Sequence, residues 1–166
     1  GIGRIALGQG NYKKALDYFN KGLHIVEKIG HKPGIANFYN LIGNIYFYQG
    51  DYEKALEAFL GYLKISEALE DKSNIAASYN NIAGVFEAQG LYERALDYHL
   101  KSLEIKNELG DREGIAKTYS NLGLIYDDQG NYEKALNYYQ KALNVFEEVG
   151  DENGMAIIYL NIGVIY

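Results

Sequence analysis

Between residues 114 and 150 the apolar side chains fall on two successive helical faces. Ile115, Tyr119, Leu122 and Tyr126 keep the i, i+4, i+7, i+11 spacing of one side of an α-helix. Gly130 then supplies a residue suited to the left-handed conformation just past a helix end, and Asn131 can cap the helix that follows. Tyr132, Ala135, Tyr139, Leu143 and Phe146 recur every three or four residues and predict a second amphipathic helix. Gly150 closes it, and Asp151 stands ready to cap the next. The pattern predicts a helical hairpin, helix A then helix B, with connections short enough to force antiparallel packing.

The hairpin recurs. Gln-Gly-x-Tyr begins at Gln9, Gln49, Gln89 and Gln129, with an interval of 40 residues each time. Ala-Leu follows at Ala15, Ala55, Ala95 and Ala135. Leu23, Leu63, Leu103 and Leu143 share a slot, as do Ile25, Ile65, Ile105 and Val145, and Tyr39, Tyr79, Tyr119 and Tyr159 share another. Gly3, Gly43, Ala83, Gly123 and Gly163 keep one position small, which lets helices A and B approach closely. A period in this range denotes stacked copies of one supersecondary unit, each burying its apolar faces against its neighbours. The units are a partial one over 1–33, full ones over about 34–73, 74–113 and 114–153, and a truncated helix A over 154–166. The chain starts at Gly1 inside an expected helix and stops at Tyr166 inside another, which reads as an excerpt from a longer array with apolar ends exposed.

Composition narrows the function. A hydrophobic content of 48% supports a packed core, and 19 glycines punctuate at regular intervals. The net charge of −6 argues against nucleic acid or an anionic membrane surface as partner, since phosphate recognition needs clustered Lys and Arg. No apolar run approaches the roughly 20 residues that span a bilayer. The chain has no cysteine, which removes thiol chemistry and cysteine-based metal sites and suits a cytoplasmic location.

With the units in phase, the chain resembles a tetratricopeptide repeat array. The family's helix-A pattern reads as Tyr119, Leu122-Gly123 and Tyr126, and its helix-B pattern as Gly130, Tyr132, Ala135, Tyr139 and Ala142. The usual repeat has about 34 residues; here helix B is longer by more than a turn and ends in Gly-Asp. The family's proline near the end of helix B is absent, and Pro33, the only proline, falls in an inter-repeat loop. The 40-residue variant is similar to the repeats of kinesin light chains, spindle-orientation scaffolds and bacterial signalling proteins. The resemblance implies an all-α fold, an α-solenoid of antiparallel helical hairpins forming a right-handed superhelix, with helices A lining a concave groove. It also implies a non-enzymatic scaffold that binds a protein or an extended peptide, without cofactor.

Carried over residue by residue, the groove positions include Asn37, Asn40, Leu41, Asn44, Asn80, Asn81, Glu87, Lys117, Asn121, Leu124, Asp127, Asp128 and Asn161. Asn81, Asn121 and Asn161 share one slot, interrupted by Leu41. A carboxamide both donates and accepts, so such a row can pair with successive peptide groups of an extended chain; the bland alternative is that each Asn bonds backbone or side chains within its own repeat, or faces water. Phe47, Tyr48 and Leu41 form a candidate apolar patch, with contact to the next hairpin as the structural alternative for the two aromatics. Glu87, Asp127 and Asp128 acidify the other end and would attract a basic peptide. A solvated helix end outweighs catalysis there, because no histidine or nucleophile lies in register to complete an acid–base site. His99 takes the slot of Phe19, Phe59 and Tyr139 and reads as a partly buried packing residue, His24 as part of an outer helix and His31 as a loop residue; their spacing fits no metal site. The glycine-rich stretch Gly1 to Gly10 is no phosphate loop, as it lacks the strand and the lysine. Two further functions compete with peptide binding: a structural or self-association module, with homo-oligomers formed through the exposed array ends, and a regulatory or sensory part of a larger signalling protein.

Overall fold

A computed structural model describes residues 11–166; the first Gln9-Gly10 frame, the Gly3 slot and the Gly1–Gly10 stretch lie outside the described residues. Eight α-helices and no strand occur among the described residues: α1 (Tyr12–Lys28), α2 (Lys32–Tyr48), α3 (Tyr52–Glu67), α4 (Lys72–Ala88), α5 (Tyr92–Leu109), α6 (Arg112–Asp128), α7 (Tyr132–Val149) and α8 (Glu152–Ile165). Even-numbered helices are A helices and odd-numbered ones B helices. The chain divides into two compact units within α4, one ending at Val85 and the other starting at Phe86. In the first, α2 packs against both α1 and α3; in the second, α6 packs against α5 and α7, and α8 against α7.

Short polar side chains start the helices and glycines stop them. Asn11, Asp51, Asp111, Asn131 and Asp151 each accept a hydrogen bond from the backbone N–H three residues on, between 2.9 and 3.3 Å. That bond satisfies one of the orphan donors of the first turn. His31, read from the sequence as a loop residue, is such a cap: its Nδ1 accepts from the Gly34 N–H at 3.0 Å. Pro33 likewise lies inside the first turn of α2 rather than in the loop, where its missing N–H costs nothing. Leu91 alone among these frames offers no side-chain cap, although α5 still forms. Gly30, Gly50, Gly90, Gly110, Gly130 and Gly150 all take positive φ beyond helix ends. The equivalent position between α3 and α4 is Glu70, held at φ 53°, a conformation in which a side chain costs about 1–2 kcal/mol.

The core of each unit sits between its A and B helices. In the first, Ala15, Phe19, Ile42, Ile45 and Ala58 are buried together, with Phe38, Tyr39 and Leu41 packed against them. In the second, Ile115, Ala116, Ala135, Tyr139, Leu143, Val145, Phe146 and Ile158 form the buried cluster. Tyr132, expected on the apolar face of α7, is 54% exposed. The small slot has a direct cause. A Cβ on Gly43 would lie 2.6 Å from the Phe59 ring, and one on Gly123 would lie 2.5 Å from the Tyr139 ring. Both rings are buried and cannot swing away.

Side-chain bonds add to this packing between α3 and α4. The Tyr62 hydroxyl donates to Asn74 Oδ1 at 2.7 Å, and Asn74 in turn donates to Asp71 through both its backbone N–H and its Nδ2. Burial, with the Asp71 charge adding to it, pushes the Tyr62 phenol up to about 12.

Two outcomes follow from this packing. Gly43→Ala should destabilise the fold by about 1–2 kcal/mol, the ring clash outweighing the better helix propensity. Gly84→Ala, with nothing within 4 Å of its added Cβ, should stabilise by about 0.5–1 kcal/mol. Urea unfolding of the two variants measures both signs. The raised phenol of Tyr62 favours the folded chain while it stays protonated, so that contribution is complete below the ordinary pKa near 10 and is lost as pH climbs toward 12. Tyr62→Phe should cost about 1 kcal/mol at pH 8 and flatten the fall in stability between pH 10 and 12, read by urea unfolding across that range.

Candidate functional site

The A-helix positions gather into three local arrangements. The first joins α2 and α4. Asn44 Nδ2 donates to the Asn40 carbonyl at 2.8 Å and to Asn40 Oδ1 at 3.1 Å, while Asn81 Nδ2 donates to the same Oδ1 at 2.9 Å. Two donors saturate that oxygen and fix which way the Asn40 amide faces. Asn81 thus bonds an asparagine of the neighbouring repeat, not its own. Beside this network lies a pocket of about 140 Å³ lined by Asn44, Phe47, Tyr48, Asn80, Asn81 and Gly84, with Phe59 behind them. The Phe47 ring meets both Tyr48 and Tyr52 with centroids 5.9 Å apart, and Tyr48 remains 65% exposed. Phe47 thus packs against Tyr52 of helix B in its own hairpin, and both it and Tyr48 edge the pocket.

The second arrangement joins α6 and α8. Lys117, Ser120 and Asn121 face Asn153, Gly154 and Ile157 across a pocket of about 290 Å³, with Phe146 as its floor. Gly154 leaves no room above that ring, since a Cβ would stand 2.5 Å from it. Lys117 is paired with Glu113 one turn earlier.

The third is the acidic end. Glu87 closes α4, and Asp127 and Asp128 close α6. Asp128 is raised from the usual carboxylate range by burial first, then by Glu87 and by Asp127. His99 lies in this group. Its ring is 1% exposed, and Nε2 stands 3.7 Å from Glu87 Oε2, too long for a hydrogen bond. The expectation that no histidine lies in register with these acids is therefore corrected: α5 carries His99 against the last turn of α4. Nor is His99 only partly buried. The Tyr139 hydroxyl is buried as well, and the charges of Asp127, Asp128 and Glu87 add to burial in raising its pKa. Both His99 nitrogens and the Tyr139 oxygen lack hydrogen-bond partners.

The remaining candidates stand apart from these groups. Asn37 is exposed on α2, and Asn161 is half-buried on α8. Leu41 and Leu124 pack against the two cores, so the leucine that interrupts the asparagine column contributes mainly to packing. Sequence reading also missed a pocket of about 160 Å³ on the B-helix side of the first unit, lined by Asn20, Leu23, Tyr39, Tyr46, Lys54 and Glu57. Leu23, Tyr39 and Tyr46 there pack against the core, and the repeat slots that mark Leu23 and Tyr39 in the sequence point to packing and not to a pocket. Among the described residues no helix is long and apolar enough to cross a membrane. None of the described His, Asp and Glu side chains form a group of three or more able to hold a metal ion.

Comparison with known proteins agrees with this architecture. BtubC (BKLC) from P. vanneervenii superposes with a TM-score of 0.88 at 22% identity, over 99% of this chain and 68% of that one. The apo form of RapI gives 0.89 at 23% identity over 99% of this chain, which spans 60% of RapI. A Rap protein complexed with competence and sporulation factor gives 0.81 at 22% identity over 99% of this chain, which spans 46% of that protein. At these identities the likeness concerns the fold. No curated protein sequence matches the chain. The tetratricopeptide repeat model matches residues 1–68, 74–148 and 114–166. With that match across nearly its whole length, and with helical hairpins in the same phase, the chain belongs to the tetratricopeptide repeat family.

Proposed function

We propose that this chain is a protein-interaction scaffold that holds an extended peptide or protein segment along its A helices. The observation that carries the reading is the amide network of Asn40, Asn44 and Asn81 beside a pocket edged by Phe47 and Tyr48. Carboxamides held by one another are preoriented, so a ligand's peptide groups can exchange into their hydrogen bonds without ordering loose side chains first. The aromatic rim supplies apolar area at low entropic cost. The Rap protein complexed with competence and sporulation factor, which has the same fold, supports a binding role of this kind. No catalytic constellation accompanies these residues, and a repeat fold does not by itself supply one.

Asn81→Ala combined with Asn121→Ala tests this reading on a partner obtained by pull-down with the wild-type chain. At about 1 kcal/mol for each amide lost, affinity should fall roughly thirtyfold by calorimetry, with the helical circular dichroism preserved. Unchanged affinity in a folded variant would remove the groove model.

A further inference from the structure

The acidic end of the second unit combines two features that are each unfavourable for stability. Glu87, Asp127 and Asp128 all sit in the last turn of their helices, where the helix dipole opposes negative charge. No basic residue occupies those turns, and the charges acting on Asp128 and Tyr139 are all acidic. Beneath them lie three buried polar atoms without partners, the two ring nitrogens of His99 and the Tyr139 hydroxyl. Buried polar groups are almost always satisfied, so these unsatisfied atoms, with His99 Nε2 3.7 Å from Glu87 Oε2, call for an explanation.

Register sharpens the point. The slots filled by Phe47, Tyr48 and Phe59 in one repeat recur as Glu87, Ala88 and His99 in the next, and as Asp127, Asp128 and Tyr139 in the one after. The backbone frame is the same, so the exchange from apolar to acidic is not forced by packing. All three carboxylates are acceptors. The His99 imidazole and the Tyr139 phenol can each accept as well as donate, so they add two acceptors to the three carboxylates beside their own donors. The missing component is a donor-rich cation. The arrangement does not suit a metal ion, as no three of these side chains converge on one point. A planar guanidinium fits better than an ammonium, because it spreads five N–H donors over separated acceptors and gives up its hydration more readily.

We propose that Glu87, Asp127 and Asp128, with His99 and Tyr139 beneath them, form a pocket for an arginine side chain of the bound segment. This assignment rests on the scaffold reading above and adds the chemistry of the partner: a segment bearing an arginine, held by charge at this pocket and by its backbone at the amides.

The full chain, isotope-labelled and observed by NMR, tests the pocket directly. The probe is acetyl-Ala-Arg-Ala-amide, with the citrulline peptide of the same shape but no charge as its control, both titrated to about 5 mM so that a millimolar site fills. The arginine peptide should shift the His99 ring and the Glu87, Asp127 and Asp128 amides and bind at least tenfold more tightly than the citrulline peptide. Glu87→Gln with Asp128→Asn should remove that preference. Tyr139→Phe should raise the Tm, because it deletes an unsatisfied buried hydroxyl at constant shape, and should weaken arginine binding by several-fold. Equal binding of the two peptides, absence of shifts at these residues, or an unchanged preference in the double variant overturns the assignment. Tighter binding of agmatine than of the peptide overturns it too, since the site would then take a free cation. The two readings fail separately. If the pulled-down partner still depends on Asn81 and Asn121 while arginine has no preferred site, only the pocket falls; if arginine binds here and the amides prove irrelevant, only the groove model falls.

Discussion

The contact between a glycine of helix A and an aromatic ring of helix B sets the geometry of this molecule. Gly43 against Phe59 and Gly123 against Tyr139 bring the two helices of a hairpin closer than any side chain on the A helix would allow. Because the facing ring is buried, the separation is set by van der Waals contact and not by a flexible surface group. Every other position on the A helix inherits its place from that spacing. The amides of Asn40 and Asn81, 41 residues apart in sequence, meet at 2.9 Å because the hairpins that carry them are stacked at a fixed distance.

A rigid frame of this kind separates support from recognition. The inward positions of each repeat are filled by Ala, Ile, Leu and aromatic residues that differ little between copies, whereas the A-helix face is free to differ. In the first unit that face is a carboxamide network with an aromatic rim. In the second it offers a pocket floored by Phe146 and a group of carboxylates over buried polar atoms. Since the side chains project from helices and not from loops, their positions are held to within the tolerance of the core.

Much of this architecture was legible in the chain. Helix limits could be read because capping residues and glycines recur at fixed positions, and Asn131, Gly130, Asp151 and Gly150 do in the structure what their residue types suggest. His31 and Pro33 were misplaced because α2 starts with an unusual pair: an imidazole as the cap and a proline in the first turn. The site was less legible. Phase alone puts Asn40, Asn44 and Asn81 on one face, but which amide bonds which depends on side-chain torsions that no periodicity encodes. His99 was visible as an exception in an aromatic slot, yet its nearness to Glu87 required knowing how α5 leans on the end of α4. Leu41 and Leu124 show the converse limit: a position on the inner helix can turn its side chain toward the core.

Glu70 carries a consequence of its own. In a stacked array, stability is close to a sum of hairpin terms and nearest-neighbour interfaces, so a local weakness is not averaged over the whole molecule. The connection between α3 and α4 is the only described one held in the left-handed region by a side-chain-bearing residue. There the chain lacks the conformational freedom that glycine supplies at Gly30, Gly110 and Gly150. The left-handed cost at Glu70 therefore falls on this one connection and is borne locally, beside the Tyr62–Asn74–Asp71 hydrogen bonds that tie α3 to α4.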